Sequence, residues 1–198
     1  MTAAVLSIGT ELTRGELVNS NAAWLGEQLT TLGFEVLEHA TVDDDRGRIA
    51  AVLERLAGEV KVVVATGGLG LTTDDLTTES VARCLGVELA RDEPSVEALR
   101  RRFTSMGREM PDSNLKQADF PEGADVLPNA VGTAPGFGVE VGDCVMYFMP
   151  GVPREMKHLF REQVTPRIGN LAAPTTHQVH LRTFGLSESR LQELLADV

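Results

Sequence analysis

Apolar positions along this chain recur with two periods, and the two alternate. The runs AAVLSI (3–8), FEVLEH (34–39) and VKVVVA (60–65) predict three strands. Between them Leu25, Leu29 and Leu32 fall on one helical face, and Ile49, Val52, Leu53 and Leu56 on another. The order is βαβαβ, the pattern of an α/β fold with a largely parallel sheet. Val81, Ala82 and Leu85 then predict a short helix stopped by Gly86, and Val96, Leu99, Phe103 and Met106 a longer one before Gly107. VEVGDCVMYFM (139–149) reads as a hairpin turning on Gly142 and Asp143, which joins an antiparallel edge to the parallel core. Pro153 suits a helix start, where its missing N–H is not needed. GNLAAPTT (169–176) predicts a linker, and residues 177–198 one strand and one helix capped near Ser187, too little to bury a core alone.

Composition narrows what such a scaffold binds. Of 198 residues, 42% are hydrophobic and 24% charged, as in an ordinary globular protein. Eighteen basic against 29 acidic side chains leave a net charge of −11, which argues against nucleic acid, since duplex binding depends on clustered Lys and Arg. A small anion remains compatible, held by backbone N–H groups or through a metal ion. Cys84 and Cys144 belong to no CxxC pair and read as small core residues. MTAAVLSIGTEL lacks the pattern of a signal peptide, and no apolar run approaches membrane-spanning length, so a cytoplasmic protein without a membrane partner is expected.

Ligands of open α/β sheets bind beyond the carboxyl ends of the strands, and three polar clusters fall there. TGGLGLTTDDLTTE (66–79) offers Gly67, Gly68 and Gly70 to an anion. It is neither a Walker A loop nor a full GxGxxG, because Thr73 stands at the third glycine position. Asp74 and Asp75 are adjacent carboxylates relieved by a cation, and a hard divalent ion between them and a phosphate reconciles acids with glycines; solvated loop aspartates are the competing reading. Thr77 as N-cap and Glu79 beside the helix dipole are structural readings. In IGTELTRGELVNSNA (8–22), Gly9 and Thr10 end a strand, Ser20 reads as a cap, and Glu11 and Asn19 stay open to ligand. VDDDRGRI (42–49) supplies one capping aspartate and two to spare. His177 and His180 point to opposite faces of their strand, and Trp24 reads as core, with base stacking as its alternative.

These residues carry a resemblance. IGTELTRGELVNSNA, TGGLGLTTDDLTTE, GTAPGF and MPGVPREM, in this order, resemble the N-terminal domain of the CinA family of competence/damage-inducible proteins, itself similar to molybdopterin-binding proteins of the MogA, MoaB and MoeA type. The resemblance covers roughly residues 3–168, and the tail HLRTFGLSESRL resembles the start of a KH-type middle domain. It implies domains at 1–168 and 177–198 joined by the linker, a three-layer α/β/α fold, and metal-dependent hydrolysis of the pyrophosphate of ADP-ribose. The divalent ion, of Mg or Co type, falls to Asp44, Asp74 and Asp75. Catalysis falls to Asp75 and Asp44, with Glu155 as base. Ligand contact falls to Gly9, Thr10, Glu11, Asn19, Thr66, Gly67, Gly68, Gly70, Thr73, Gly151 and Pro153. The family's proline after the glycines is Leu71 here, and the residues flanking Asp44 are Asp43 and Asp45. Alternatives are a pterin-binding module, and a regulatory domain that drives homo-oligomerisation beside a separate amidohydrolase.

Overall fold

The computed structural model describes residues 1–171 and 183–195. From the N-terminus, β1 (Thr2–Ile8) leads through a one-turn helix α1 (Thr10–Thr13) into α2 (Ser20–Thr31), and β2 (Glu35–Val42), α3 (Arg46–Glu59) and β3 (Val62–Thr66) complete the βαβαβ unit. After the glycine loop comes α4 (Thr77–Leu85), then an excursion of β4 (Leu89–Arg91), α5 (Glu93–Ser105), a 3-10 segment (Asp112–Ala118) and β5 (Asp119–Pro121). β6 (Asp125–Leu127), β7 (Gly136–Val141) and β8 (Cys144–Met149) return to the sheet, followed by α6 (Pro153–Leu159), a π turn (Phe160–Val164) and α7 (Thr165–Ile168). Gly169–Leu171 is a 3-10 turn, and α8 (Glu188–Leu194) is capped by the Ser187 side chain. The rest of the predicted linker, and the strand that carries His177 and His180, lie outside the described residues.

The six-stranded sheet has the order β2-β1-β3-β8-β7-β6. β2, β1, β3 and β8 run parallel, while β7 and β6 form the antiparallel edge. Pleating sorts the side chains between two cores. Ala4, Leu6, Val63, Ala65, Met146 and Phe148 meet Ile49, Leu53 and Leu56 of α3 and Val81 of α4. Ala3, Val5, Val62, Val64, Tyr147 and Met149 meet Leu25 and Leu29 of α2 and Met156 and Leu159 of α6. The outcome is the expected three-layer α/β/α sandwich with a mostly parallel sheet. Because β2 and β3 lie on opposite sides of β1, the strand order reverses there, and a crevice opens above the ends of β1 and β3.

Differences from the sequence reading are local. β3 starts at Val62 rather than Val60, since the Val60 N–H still closes the last turn of α3 onto Leu56. Asn19, not Ser20, caps α2, its side chain accepting from the Ala22 N–H at 3.0 Å. Thr77 is the first helical residue of α4 rather than its cap; its hydroxyl donates to the Gly67 carbonyl at 3.0 Å. Met106 falls off the apolar stripe of α5 because that helix ends at Ser105, and it is exposed. The excursion builds its own small core from Val96, Leu99 and Ala118, with Met110 and Leu115 against it. Its strands are three residues each, too short to show a period.

Candidate functional site

The crevice above β1 and β3 opens into a cleft of about 1010 Å³. It is lined by Gly9, Thr10, Glu11 and Asn19 after β1, Asp44 after β2, the glycine loop after β3, and Gly151, Pro153 and Glu155 after β8. Four separate loops thus converge because their strands are parallel neighbours.

The loop after β3 turns where a side chain is excluded. Gly67 and Gly68 have φ of 110° and 65°, a region that costs any residue with a Cβ. A Cβ on Gly67 would strike the Ile8 carbonyl oxygen, and one on Gly68 the Thr77 hydroxyl. The turn is tied down behind by the Gly67 N–H on the Met149 carbonyl at 3.0 Å and by the Thr66 hydroxyl on the Pro150 carbonyl at 2.9 Å. The N–H groups of Gly68, Leu69 and Gly70 make no hydrogen bond among the described residues, and all three residues line the cleft. Successive unpaired amides of this kind form a concavity suited to an anion.

Two of the predicted aspartates are built in and one is not. Asp44 accepts through Oδ2 from the Thr10 N–H at 2.8 Å and the Thr10 hydroxyl at 2.9 Å. Asp75 accepts through Oδ2 from the Thr72 N–H at 2.8 Å and the Thr72 hydroxyl at 2.7 Å. In both, Oδ1 accepts no hydrogen bond among the described residues, so each presents one unclaimed carboxylate oxygen. Asp74 is exposed and makes no side-chain hydrogen bond there, although it also lines the cleft. Asp43 pairs with Arg48, and Asp45 caps α3 on the Arg48 N–H at 2.9 Å. The aspartate run after β2 therefore divides into an ion pair, a cleft carboxylate and a cap.

Glu155, in the first turn of α6, is oriented by Asn129, whose Nδ2 donates to Oε2 at 2.7 Å. Asn129 is fixed in turn by its Oδ1, which accepts from the Val131 and Gly132 N–H groups at 3.0 and 2.9 Å. The Asn21 side chain donates to the Gly151 carbonyl at 2.8 Å, tying α2 to the loop after β8. Thr73 does not line the cleft; Thr72 does, because the turn closed by Asp75 carries the next residue outward. No group of three His, Cys, Asp or Glu is gathered as a ready metal site among the described residues, so Asp44, Asp74 and Asp75 are not a preformed ligand trio. Trp24 is not on the cleft wall: it packs edge-on to Phe160 at 5.5 Å, under Lys157 and Arg161.

Sequence reading missed Arg14, Gln117 and Thr133, which also line the cleft. Arg14 stood within the quoted cluster after β1, but nothing marked it. Gln117 and Thr133 come from the excursion and the loop before β7, whose folding over the site leaves no periodic signal. Among the described residues, six carboxylates line the cleft (Glu11, Glu16, Asp44, Asp74, Asp75 and Glu155) against the single cation Arg14.

Known proteins match this arrangement. The family model described as "Probable molybdopterin binding domain" matches residues 4–170. A CinA-like protein of Frankia casuarinae is 47% identical over the whole of this chain, which covers 47% of that protein. The chain thus spans about half the length of the curated relatives it matches. The crystal structure of CinA from Thermoplasma acidophilum superimposes with a TM-score of 0.76 at 34% identity, over 85% of this chain and 97% of that one. MoaB of Thermus thermophilus superimposes with a TM-score of 0.55 at 19% identity, over 84% of this chain and 90% of that one, a likeness of fold.

Proposed function

Since the chain belongs to the family of the probable molybdopterin binding domain, among its CinA-like members, we propose that its cleft binds a nucleotide pyrophosphate of ADP-ribose type and hydrolyses it with a divalent metal. One observation carries this reading. An anion-ready turn, with unpaired amides at Gly68, Leu69 and Gly70, shares one cleft with six carboxylates and a single cation. A pyrophosphate entering alone would meet net repulsion, so it enters with a cation. Small-molecule pockets run to about 1,000 Å³, and this cleft lies at that upper end, large enough for an adenosine and a ribose joined through a pyrophosphate.

The donor set fits such an ion. Ions of the Mg type are commonly held by one or two carboxylates and complete their shell with substrate phosphates and water. The free Oδ1 atoms of Asp44 and Asp75 supply that kind of incomplete set, with Asp74 an accessory. Bound there, the metal would polarise a phosphoryl oxygen and lower the pKa of an attacking water. The chain does the rest. Gly67 and Gly68 shape the turn, and its amides orient the pyrophosphate. Thr10 and Thr72 hold the two aspartates in one rotamer each. Asn129 leaves Glu155 Oε1 free to take a proton from water.

Release of AMP from ADP-ribose, measured with Mg, Mn and Co salts, tests the reading. Asp75→Asn is expected to lose roughly 100-fold or more in kcat, whereas Asp74→Asn stays within about threefold, as befits an exposed side chain without hydrogen-bond partners among the described residues. Undiminished turnover in Asp75→Asn would sink the assignment. Pterin binding without turnover would favour the family's binding role alone. The competing reading is a regulatory domain that drives homo-oligomerisation beside a further catalytic domain, in line with curated relatives about twice as long; an oligomer by light scattering, together with no hydrolysis under any of these metals, would favour it.

A further inference from the structure

The loop that carries Asp75 has no ladder or helix to hold it. Leu71 to Asp74 are exposed; Thr77 ties the loop's start at the Gly67 and Gly68 carbonyls, and beyond Gly70 its own ties are the Thr72–Asp75 turn and the Asp75 side chain. A cation from the excursion grips it from outside. Lys116 Nζ donates to the Asp75 carbonyl at 2.9 Å and to the Thr72 carbonyl at 3.4 Å, and lies 3.6 Å from Glu79 Oε1. Glu79 is paired on its other oxygen with Arg46, two residues past Asp44. A line of charges, Arg46–Glu79–Lys116, thus joins the corner that bears Asp44 to the loop that bears Asp75. None of the three lines the cleft; Lys116 lines instead a small neighbouring pocket together with Gly68, Gly70 and Asp75.

An ammonium on two carbonyl oxygens forms charge-assisted bonds, and the side chain is already partly buried. Both bonds fall on the residues that close the turn around Asp75. We propose that Lys116 is a positioning residue, holding the Thr72–Asp75 turn so that the free Asp75 oxygen faces the cleft; Glu79, braced by Arg46, keeps the ammonium in place. The proposal rests on Asp75 acting in pyrophosphate hydrolysis.

The test is steady-state kinetics of the full chain with ADP-ribose and saturating Mn salt. Lys116→Met is expected to lower kcat about 10- to 100-fold with KM changed less than threefold, since small misplacements of a catalytic group cost on this scale, and Lys116→Arg recovers part of the loss. The double variant Lys116→Met with Asp75→Asn is expected to be no slower than Asp75→Asn alone, because the lysine acts through that aspartate. An unchanged kcat in Lys116→Met, or losses that multiply in the double variant, overturns the proposal. If the wild-type chain does not hydrolyse ADP-ribose, the functional reading fails instead, and hydrogen exchange decides the lysine's role. The Thr72 and Asp75 amides then exchange about tenfold faster in Lys116→Met, and equal rates overturn the clamp.

Discussion

At the scale of the residue, threonine is what distinguishes an anchored aspartate from a surface one here. Asp44 and Asp75 each take an N–H and a hydroxyl from a threonine on one oxygen, while Asp74, adjacent in sequence, takes nothing. Adjacent acidic letters could not reveal that difference, since it depends on which residue the backbone turn brings round. A second residue-scale consequence lies in the core. Cys144 is fully buried at the start of β8, and burial pushes its thiol up to about 11 from an ordinary value of 9.0, against the smaller opposing pull of Lys61. A raised folded pKa adds stability that is complete below the unfolded pKa and is lost as pH rises through the folded one. The stability gap between wild type and Cys144→Ala is therefore expected to shrink by about 1 kcal/mol between pH 8 and pH 10 in urea unfolding. A constant gap would mean the thiol ionises as freely in the fold as outside it.

At the scale of the element, caps and short strands separate what periodicity shows from what it hides. Asn19 caps α2, so Asn19→Ala is expected to cost about 1 kcal/mol in urea unfolding and Ser20→Ala only a few tenths; the reverse order would return the cap to Ser20. The core strands and α2, α3 and α5 were legible because each repeats an apolar period over several residues, and the hairpin was legible because Gly142 and Asp143 stand where a two-residue turn needs them. β4 and β5 were not, being three residues each, and neither was the route of the excursion. That route matters to the cleft. Arg102 of α5 donates to the Ala130 and Val131 carbonyls at 3.2 and 2.7 Å, in the loop whose Asn129 orients Glu155. Lys116 likewise donates to the Thr72 and Asp75 carbonyls of the Asp75 loop. The excursion thus bears on both acidic walls of the cleft, through contacts that no local pattern announces.

At the scale of the whole molecule, topology decides where chemistry can occur. The reversal of strand order at β1 sets loops from four parallel strands around one opening, and the chain's acidic balance is carried into that opening, with one arginine against six carboxylates among the described residues. Among the described residues no helix is long and apolar enough to cross a membrane. Most of the candidate residues read from sequence line one cleft, because the ends of parallel neighbouring strands converge there; the outward turn of Thr73 and the residues contributed by the excursion were beyond that argument. The central claim is that the glycine turn seats a pyrophosphate beside Asp44 and Asp75. A crystal of this chain soaked with ADP-ribose and a Mn salt measures it directly. Pyrophosphate oxygens are expected on the amides of Gly68, Leu69 and Gly70, with an ion between them and the free oxygens of the two aspartates. Ligand density elsewhere in the cleft, with the turn bare, would contradict it.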